Sequence, residues 1–217
     1  MYDINTGRKG FLMDTFRQYI QEKASTLHVF DVDDTLVHSK AHVHVKNGEG
    51  NTVQKLSTSE YNTHKLPAGH HYDYHEFRSS DVFKKTSHPI KPMIRTINAT
   101  QRTSSKNPHN KTVINTARAD FDNKDRFLDT LKHHGIQHID KIHVHRAGNI
   151  PGDEKPAHKK LIFIRQHLAK HPYSRVKMYD DSHENLHAFL GLKHEYPHTQ
   201  FHAFHVDPKG KMTRVHG

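Results

Sequence analysis

Leu27-His28-Val29-Phe30-Asp31-Val32-Asp33-Asp34-Thr35-Leu36-Val37 passes from apolar to acidic within a few residues. An apolar run of strand type that stops abruptly in three acids delivers carboxylates at the carboxyl end of a buried strand, which is where open α/β sheets place their sites. Asp31 and Asp33 lie two apart, so in an extended segment their side chains share a face. Like charges held that close repel unless a cation neutralises them or one stays protonated, and an all-oxygen ligand set favours magnesium.

Working outward, residues 41–45 and 52–56 are β-prone runs around a turn-rich tip at 46–51, a hairpin placed to overhang the acidic strand end. Ser57 and Glu60 carry the capping-box pattern of a short helix that Pro67 ends. Residues 68–89 are irregular in pattern and interleave aromatics with Arg78, Lys84 and Lys85, the mixture found on single-strand binding surfaces. They are read as a substrate-contacting loop; a plain surface loop anchored by its aromatics is the competing reading.

Ile90, Ile94 and Ile97 mark a crossover helix, and a second buried strand over 111–116 ends in Thr116 with Arg118 beyond it. A helix over 122–134 stops at Gly135, and a third strand is expected over 139–144. Pro156 opens a helix to residue 170. The strand over 175–179 again ends in acids, Asp180 and Asp181. A helix over 182–192 and a strand over 201–206 precede a basic tail. Upstream, residues 10–23 put Leu12, Phe16, Tyr19 and Ile20 on one face of a helix expected to pack on the core. The expected division is therefore 1–25 as that helix and 26–217 as the core, with 38–89 inserted as a small lid. The βαβα alternation implies an α/β fold with a mostly parallel sheet and right-handed crossovers.

At 217 residues the chain suits one such domain with an insertion. Only 33% of it is hydrophobic and the mean hydropathy is −0.91, but the apolar residues are concentrated in periodic runs, which implies a folded core with long polar connections. Cysteine is absent, which excludes disulfides, thiolate metal sites and a thiol nucleophile. No apolar run reaches the length of a membrane span, and Asp14, Arg17 and Gln18 interrupt the N-terminal segment, so a soluble, cytoplasmic protein is expected. A formal charge of +10 and a pI near 9.6 favour polyanionic partners.

The stretch Asp31-Val32-Asp33-Asp34-Thr35 after an apolar strand resembles the first motif of the haloacid dehalogenase (HAD) superfamily. Thr116 matches the Ser/Thr that ends the family's second strand and holds a phosphate oxygen. Lys155, which precedes Pro156 at a usual distance from Asp180, matches the third-motif lysine, with Lys159 and Lys160 as alternatives on the same helix. Asp180 matches the fourth-motif metal ligand, flanked by Asp181 and Glu184. The resemblance implies a HAD-like Rossmannoid three-layer sandwich with a small lid after the first core strand. It also implies a phosphatase in which Asp31 forms an aspartyl phosphate and Asp33 acts as acid and base. Magnesium would be held by Asp31, Asp180, Asp181 and the main-chain carbonyl of Asp33, while Thr116 and Lys155 hold phosphate oxygens.

The span from Val37 to Lys111 is lean for a cap that seals over a small metabolite, because part of it must form the crossover helix. With the basic charge and with Arg118 beside the phosphate pocket, this resembles the phosphatase domain of polynucleotide kinase-phosphatases and phage RNA-repair-like HAD proteins. The expected substrate is a phosphorylated DNA or RNA end, contacted by Arg118, Arg78, Lys84 and Lys85. A small-molecule phosphatase and a non-catalytic nucleic-acid-binding protein on the same scaffold are the alternatives. The pairs His42-x-His44 and His143-x-His145 fit a zinc site by strand alternation, but among 25 histidines such pairs arise by chance, and the sequence marks no third ligand.

Overall fold

The structure, a computed structural model, describes residues 25–217; the expected helix over 10–23 lies outside them. β1 (Thr26–Phe30) is buried along its whole length. Directly after it the chain curls on itself: the Val32 carbonyl accepts from the amides of Leu36 and Val37 at 2.9 and 3.0 Å, and the Asp34 amide donates to the Val37 carbonyl at 2.8 Å. This turn needs a left-handed residue, and Asp34 supplies it at φ 52°, a conformation that aspartate tolerates better than most side chains.

An insertion follows, made of β2 (Val37–His38), β3 (Val43–Lys46), β4 (Thr52–Leu56), α1 (Thr58–Thr63), β5 (His71–Asp73), α2 (His75–Arg78), α3 (Ser80–Thr86) and β6 (His88–Pro89). β2 and β6 pair antiparallel and close its base, while β3 runs between β4 and β5 as the centre of a separate antiparallel sheet. That sheet has its own small core of Val43, Val45 and Leu56, against which Tyr61, Tyr72 and Phe77 pack. The capping box of α1 forms as the Ser57/Glu60 spacing predicts. Residues 68–89 are not the irregular loop expected: they hold β5, α2, α3 and β6, each too short for a periodic pattern to emerge.

The chain then lays down α4 (Lys91–Lys106), β7 (Lys111–Thr116), α5 (Lys124–His133), β8 (His143–Arg146), α6 (Pro156–Lys170), β9 (Arg175–Asp180), α7 (His183–Gly191), β10 (Gln200–Val206) and β11 (Met212–Val215). The main sheet has the order β11-β10-β9-β1-β7-β8 and is parallel except for β11, which turns the expected basic tail into an antiparallel edge. The expected strand over 139–144 starts later, at His143, after a single 3-10 turn.

Side-chain alternation along β1 divides the core. Phe30 packs with Met93, Ile97, Phe127 and Leu131 of α4 and α5, whereas Leu27 and Val29 pack with Leu161, Ile164, Leu186 and Phe189 of α6 and α7. The result is a Rossmann-like three-layer arrangement with β1 near the middle of the sheet. Among the described residues no helix is long and apolar enough to cross a membrane.

Two buried imidazoles and one half-buried one set an acid limit on this fold. Burial, aided by the charges of Lys177 and Arg175, holds His28 down at about 4. Burial holds His145 at about 3 and His167 at about 4, and their Nε2 atoms lie 2.7 Å apart, a bond that requires at least one ring to lack a proton. Because the unfolded chain takes up these protons near 6.5 and the folded chain does so only well below, their contribution is complete above that pH and is lost as pH falls. Denaturant titrations should therefore show stability falling from about pH 6.5 toward pH 4. His145→Leu should flatten that part of the profile, and an unchanged slope in this variant would refute the assignment.

Candidate active site at the carboxyl edge of the sheet

Alternation that places Leu27 and Val29 toward α6 also carries Asp31 to that side, and the same holds for Met178 and Asp180 on β9. Between these two strand ends sits the Lys160 ammonium, 3.0 Å from Asp31 Oδ1 and 2.8 Å from Asp180 Oδ2, with a side chain only 1% exposed. Asp181 completes an acidic trio: Asp31, Asp180 and Asp181 each offer one oxygen, and the three oxygens lie within 4.8 Å of one another. Asp180 is held rigidly, its Oδ1 accepting from the Ser182 amide at 2.9 Å and from Asn185 Nδ2 at 2.8 Å.

The electrostatics follow from burial. Desolvation drives the Asp31 pKa well up, with Asp180, Asp181 and Asp33 adding to the rise and Lys160 opposing it. Asp181 is pushed up to about 7, first by burial and then by Asp180. For Lys160 burial favours the neutral amine, but Asp180 and Asp31 outweigh it and its pKa is raised. With all three carboxyl groups ionised, the trio and one ammonium would carry two net negative charges, which is the charge of one divalent cation, and oxygen donors of this kind suit magnesium.

Asp33 follows a different course from that expected of an extended segment. The strand ends at Phe30, and the turn directs the Asp33 carboxylate to Arg118: Nε donates to Oδ2 at 2.7 Å and Nη2 to Oδ1 at 2.6 Å. Nη2 also donates to Ser39 Oγ at 2.9 Å and Nη1 to the Phe77 carbonyl at 2.8 Å, and the guanidinium lies over the Phe77 ring at 4.7 Å. Arg118 was expected to reach substrate. Its side chain is 1% exposed and already bonded through Nε, Nη1 and Nη2, so in this structure it positions Asp33 instead. The Arg118 loop depends on Gly148, where a Cβ would come within 2.6 Å of both the Ala117 carbonyl and the Ala119 amide.

Thr116 is fully buried at the end of β7, and its Oγ1 accepts from the Arg118 amide at 3.1 Å, leaving the hydroxyl proton to donate. The expectation for Lys155 is corrected. As the residue that precedes the first turn of α6 it points outward, 69% exposed and paired with Glu184 at 2.7 Å, while Lys159 bonds the Gly152 carbonyl. Lys160 occupies the buried face that Ala157 and Ile164 define one turn away on either side. Arg78, Lys84 and Lys85 are exposed and have no ion-pair partner among the described residues; Lys84 and Lys85 follow the inward-facing Phe83 of α3. Ser39, the Phe77 carbonyl, Ser182 and Asn185 were not singled out from sequence, and only the N-cap pattern of Ser182 before α7 offered a signal.

Removing one partner from a buried charge cluster costs about 3–5 kcal/mol, because the remaining charges lose their compensation. Lys160→Met should therefore destabilise the chain by about that amount in denaturant titrations at neutral pH with chelator present. Lys155→Met should change stability by no more than about 0.5 kcal/mol, as for an ordinary surface site. A larger loss for Lys155→Met than for Lys160→Met would reverse the assignment of the lysine.

No family model matches the chain, and no curated protein matches it. Among solved structures, the HAD domain of the effector protein Lem4 from Legionella pneumophila is similar at 12% identity with a TM-score of 0.47, over 86% of this chain and 88% of that one.

Proposed function

We propose that the chain is a magnesium-dependent HAD-type phosphomonoesterase that works through an aspartyl phosphate and acts on phosphorylated nucleic-acid ends. The observation that carries this reading is the meeting of Asp31, Asp180 and Asp181 around Lys160 at one edge of a parallel sheet, with the Thr116 hydroxyl at the end of the neighbouring strand. Asp31 is the nucleophile: its carboxylate attacks phosphorus, the alcohol leaves, and water then cleaves the acyl phosphate, which divides the reaction into two easier steps. Asp33 protonates the leaving oxygen and later takes a proton from the attacking water. Arg118 keeps that carboxylate oriented, and proton transfer requires one of its two bonds to Asp33 to be exchanged for substrate or water.

Lys160 and the Thr116 hydroxyl are the donors for phosphate oxygens, aimed where negative charge gathers in the transition state. Asp31, Asp180, Asp181 and the main-chain carbonyl of Asp33 would hold a magnesium ion, which when bound neutralises charge between nucleophile and phosphate. Asp31→Asn should abolish turnover while circular dichroism is unchanged, because an amide cannot form the acyl phosphate. Undiminished phosphatase activity in that variant would end the assignment of Asp31.

The substrate class rests on the +10 charge and on the exposed Arg78, Lys84 and Lys85, since cations outside a pocket engage only a substrate that extends beyond it. Phosphate release with magnesium should be compared for mononucleotides, sugar phosphates and oligonucleotides carrying 3′- or 5′-phosphates. The oligonucleotides should be preferred, and each phosphate contacted on a single strand should add about 0.7 to the slope of log affinity against log salt. Equal specificity constants with equal salt dependence would leave a small-molecule phosphatase, and absence of turnover on every substrate would leave a binding protein.

A further inference from the structure

We infer that His44, His75 and Glu76 form a second metal site, for a transition ion of the zinc class, which ties the inserted sheet to α2. Each residue offers one ligand atom, and the three atoms lie within 4.8 Å of one another. The trio is assembled by tertiary structure. His44 sits on β3, the middle strand of the inserted sheet, and β5 pairs beside it before leading through Tyr74 into His75 and Glu76. His44 is buried at 5% exposure, its Nε2 lies 2.7 Å from Glu76 Oε1, and its ring meets that of His75 edge-on with centroids 4.4 Å apart.

The surroundings are those of a ligand set. His44 Nδ1 lies 3.3 Å from Thr52 Oγ1, and His75 Nδ1 lies 3.0 Å from Asp73 Oδ2. Such outer partners fix ring orientation and tautomer and leave the opposite nitrogen to a metal. Two imidazoles and one carboxylate suit zinc, whereas magnesium and calcium prefer oxygen alone, so this site is chemically distinct from the acidic trio. Bonds of about 2.0–2.1 Å in a tetrahedron place ligand atoms roughly 3.3 Å apart, which side-chain rotation reaches from the present spacing. The ion takes the place of the hydrogen bond between His44 Nε2 and Glu76 Oε1. His42 Nδ1 lies 3.4 Å from Glu76 Oε2, and Lys55, whose side chain is 57% exposed, lies 3.8 Å from Glu76 Oε1.

The site bears on the rest of the molecule through one peptide. Phe77 follows Glu76, and its carbonyl accepts from Arg118, the residue that holds Asp33. An ion at Glu76 thus stiffens the segment against which Arg118 is seated.

The full chain, without a histidine tag and stripped of metal, should be titrated with zinc against a weak competing chelator. The expected result is one tightly held equivalent, with a raised thermal midpoint, and a visible absorption band when cobalt replaces zinc. His75→Ala alters a side chain that is 55% exposed; it and Glu76→Gln should abolish all three signals. Asp73→Asn should weaken zinc by about 10- to 100-fold. Asp180→Asn should leave zinc binding unchanged, which separates this site from the acidic trio. Zinc held by His75→Ala as tightly as by the unaltered chain would overturn the proposal. So would several weak equivalents spread over the other histidines, with none removed by His75→Ala.

Discussion

A lysine ammonium enclosed between two strand-end carboxylates is the constraint around which this molecule is arranged. Desolvating such ions costs several kcal/mol each, so the cluster persists only where geometry is exacting on every side. Lys160 sets the rotation of α6 on the sheet, and Asn115 reinforces it by donating Nδ2 to the Lys160 carbonyl at 2.9 Å. Asp31 and Asp180 are thereby held level across the β1–β9 pair, and the second oxygen of Asp180 organises the start of α7 through Ser182 and Asn185. One ammonium thus joins the two central strands to the two helices that cover one face.

The acidic strand ends were legible because a strand leaves little choice: an apolar run that stops in Asp31 or Asp180 can place those carboxylates only at the sheet edge. Lys160 was harder to read. Lysine is seldom buried, yet the helical face of Ala157, Leu161, Ile164 and Leu168 includes position 160, and that face was better evidence than the adjacency of Lys155 to a proline. The bond between Arg118 and Asp33 spans 85 positions and has no local signature. His44 drew notice as half of a strand pair, but its neighbours His75 and Glu76 arrive by strand pairing and a tight turn, which periodicity does not encode. The short elements between residues 70 and 89 were missed for the same reason.

Arg118 is the point where insertion and core meet. Its guanidinium bonds Asp33 on the turn after β1, Ser39 at the start of the insertion and the Phe77 carbonyl at the end of α2, and it lies against the rings of Phe77, Phe83 and Phe121. A side chain so enclosed transmits displacement because none of its partners can move alone. The orientation of Asp33 is therefore a property of the inserted sheet as much as of the turn that carries it.

The placement of β1 also governs the order in which the molecule can be assembled. Leu27 is paired on one side with Lys111 and on the other with Val176, so the strand made first among these three is enclosed only after the last has emerged from the ribosome. Until then Thr26–Phe30 is an uncovered apolar edge, and contacts this distant in sequence form slowly because loop closure must precede any gain. The segment that carries Asp31 is thus also the one most exposed to wrong partners during synthesis, when an unpaired strand invites association with other chains.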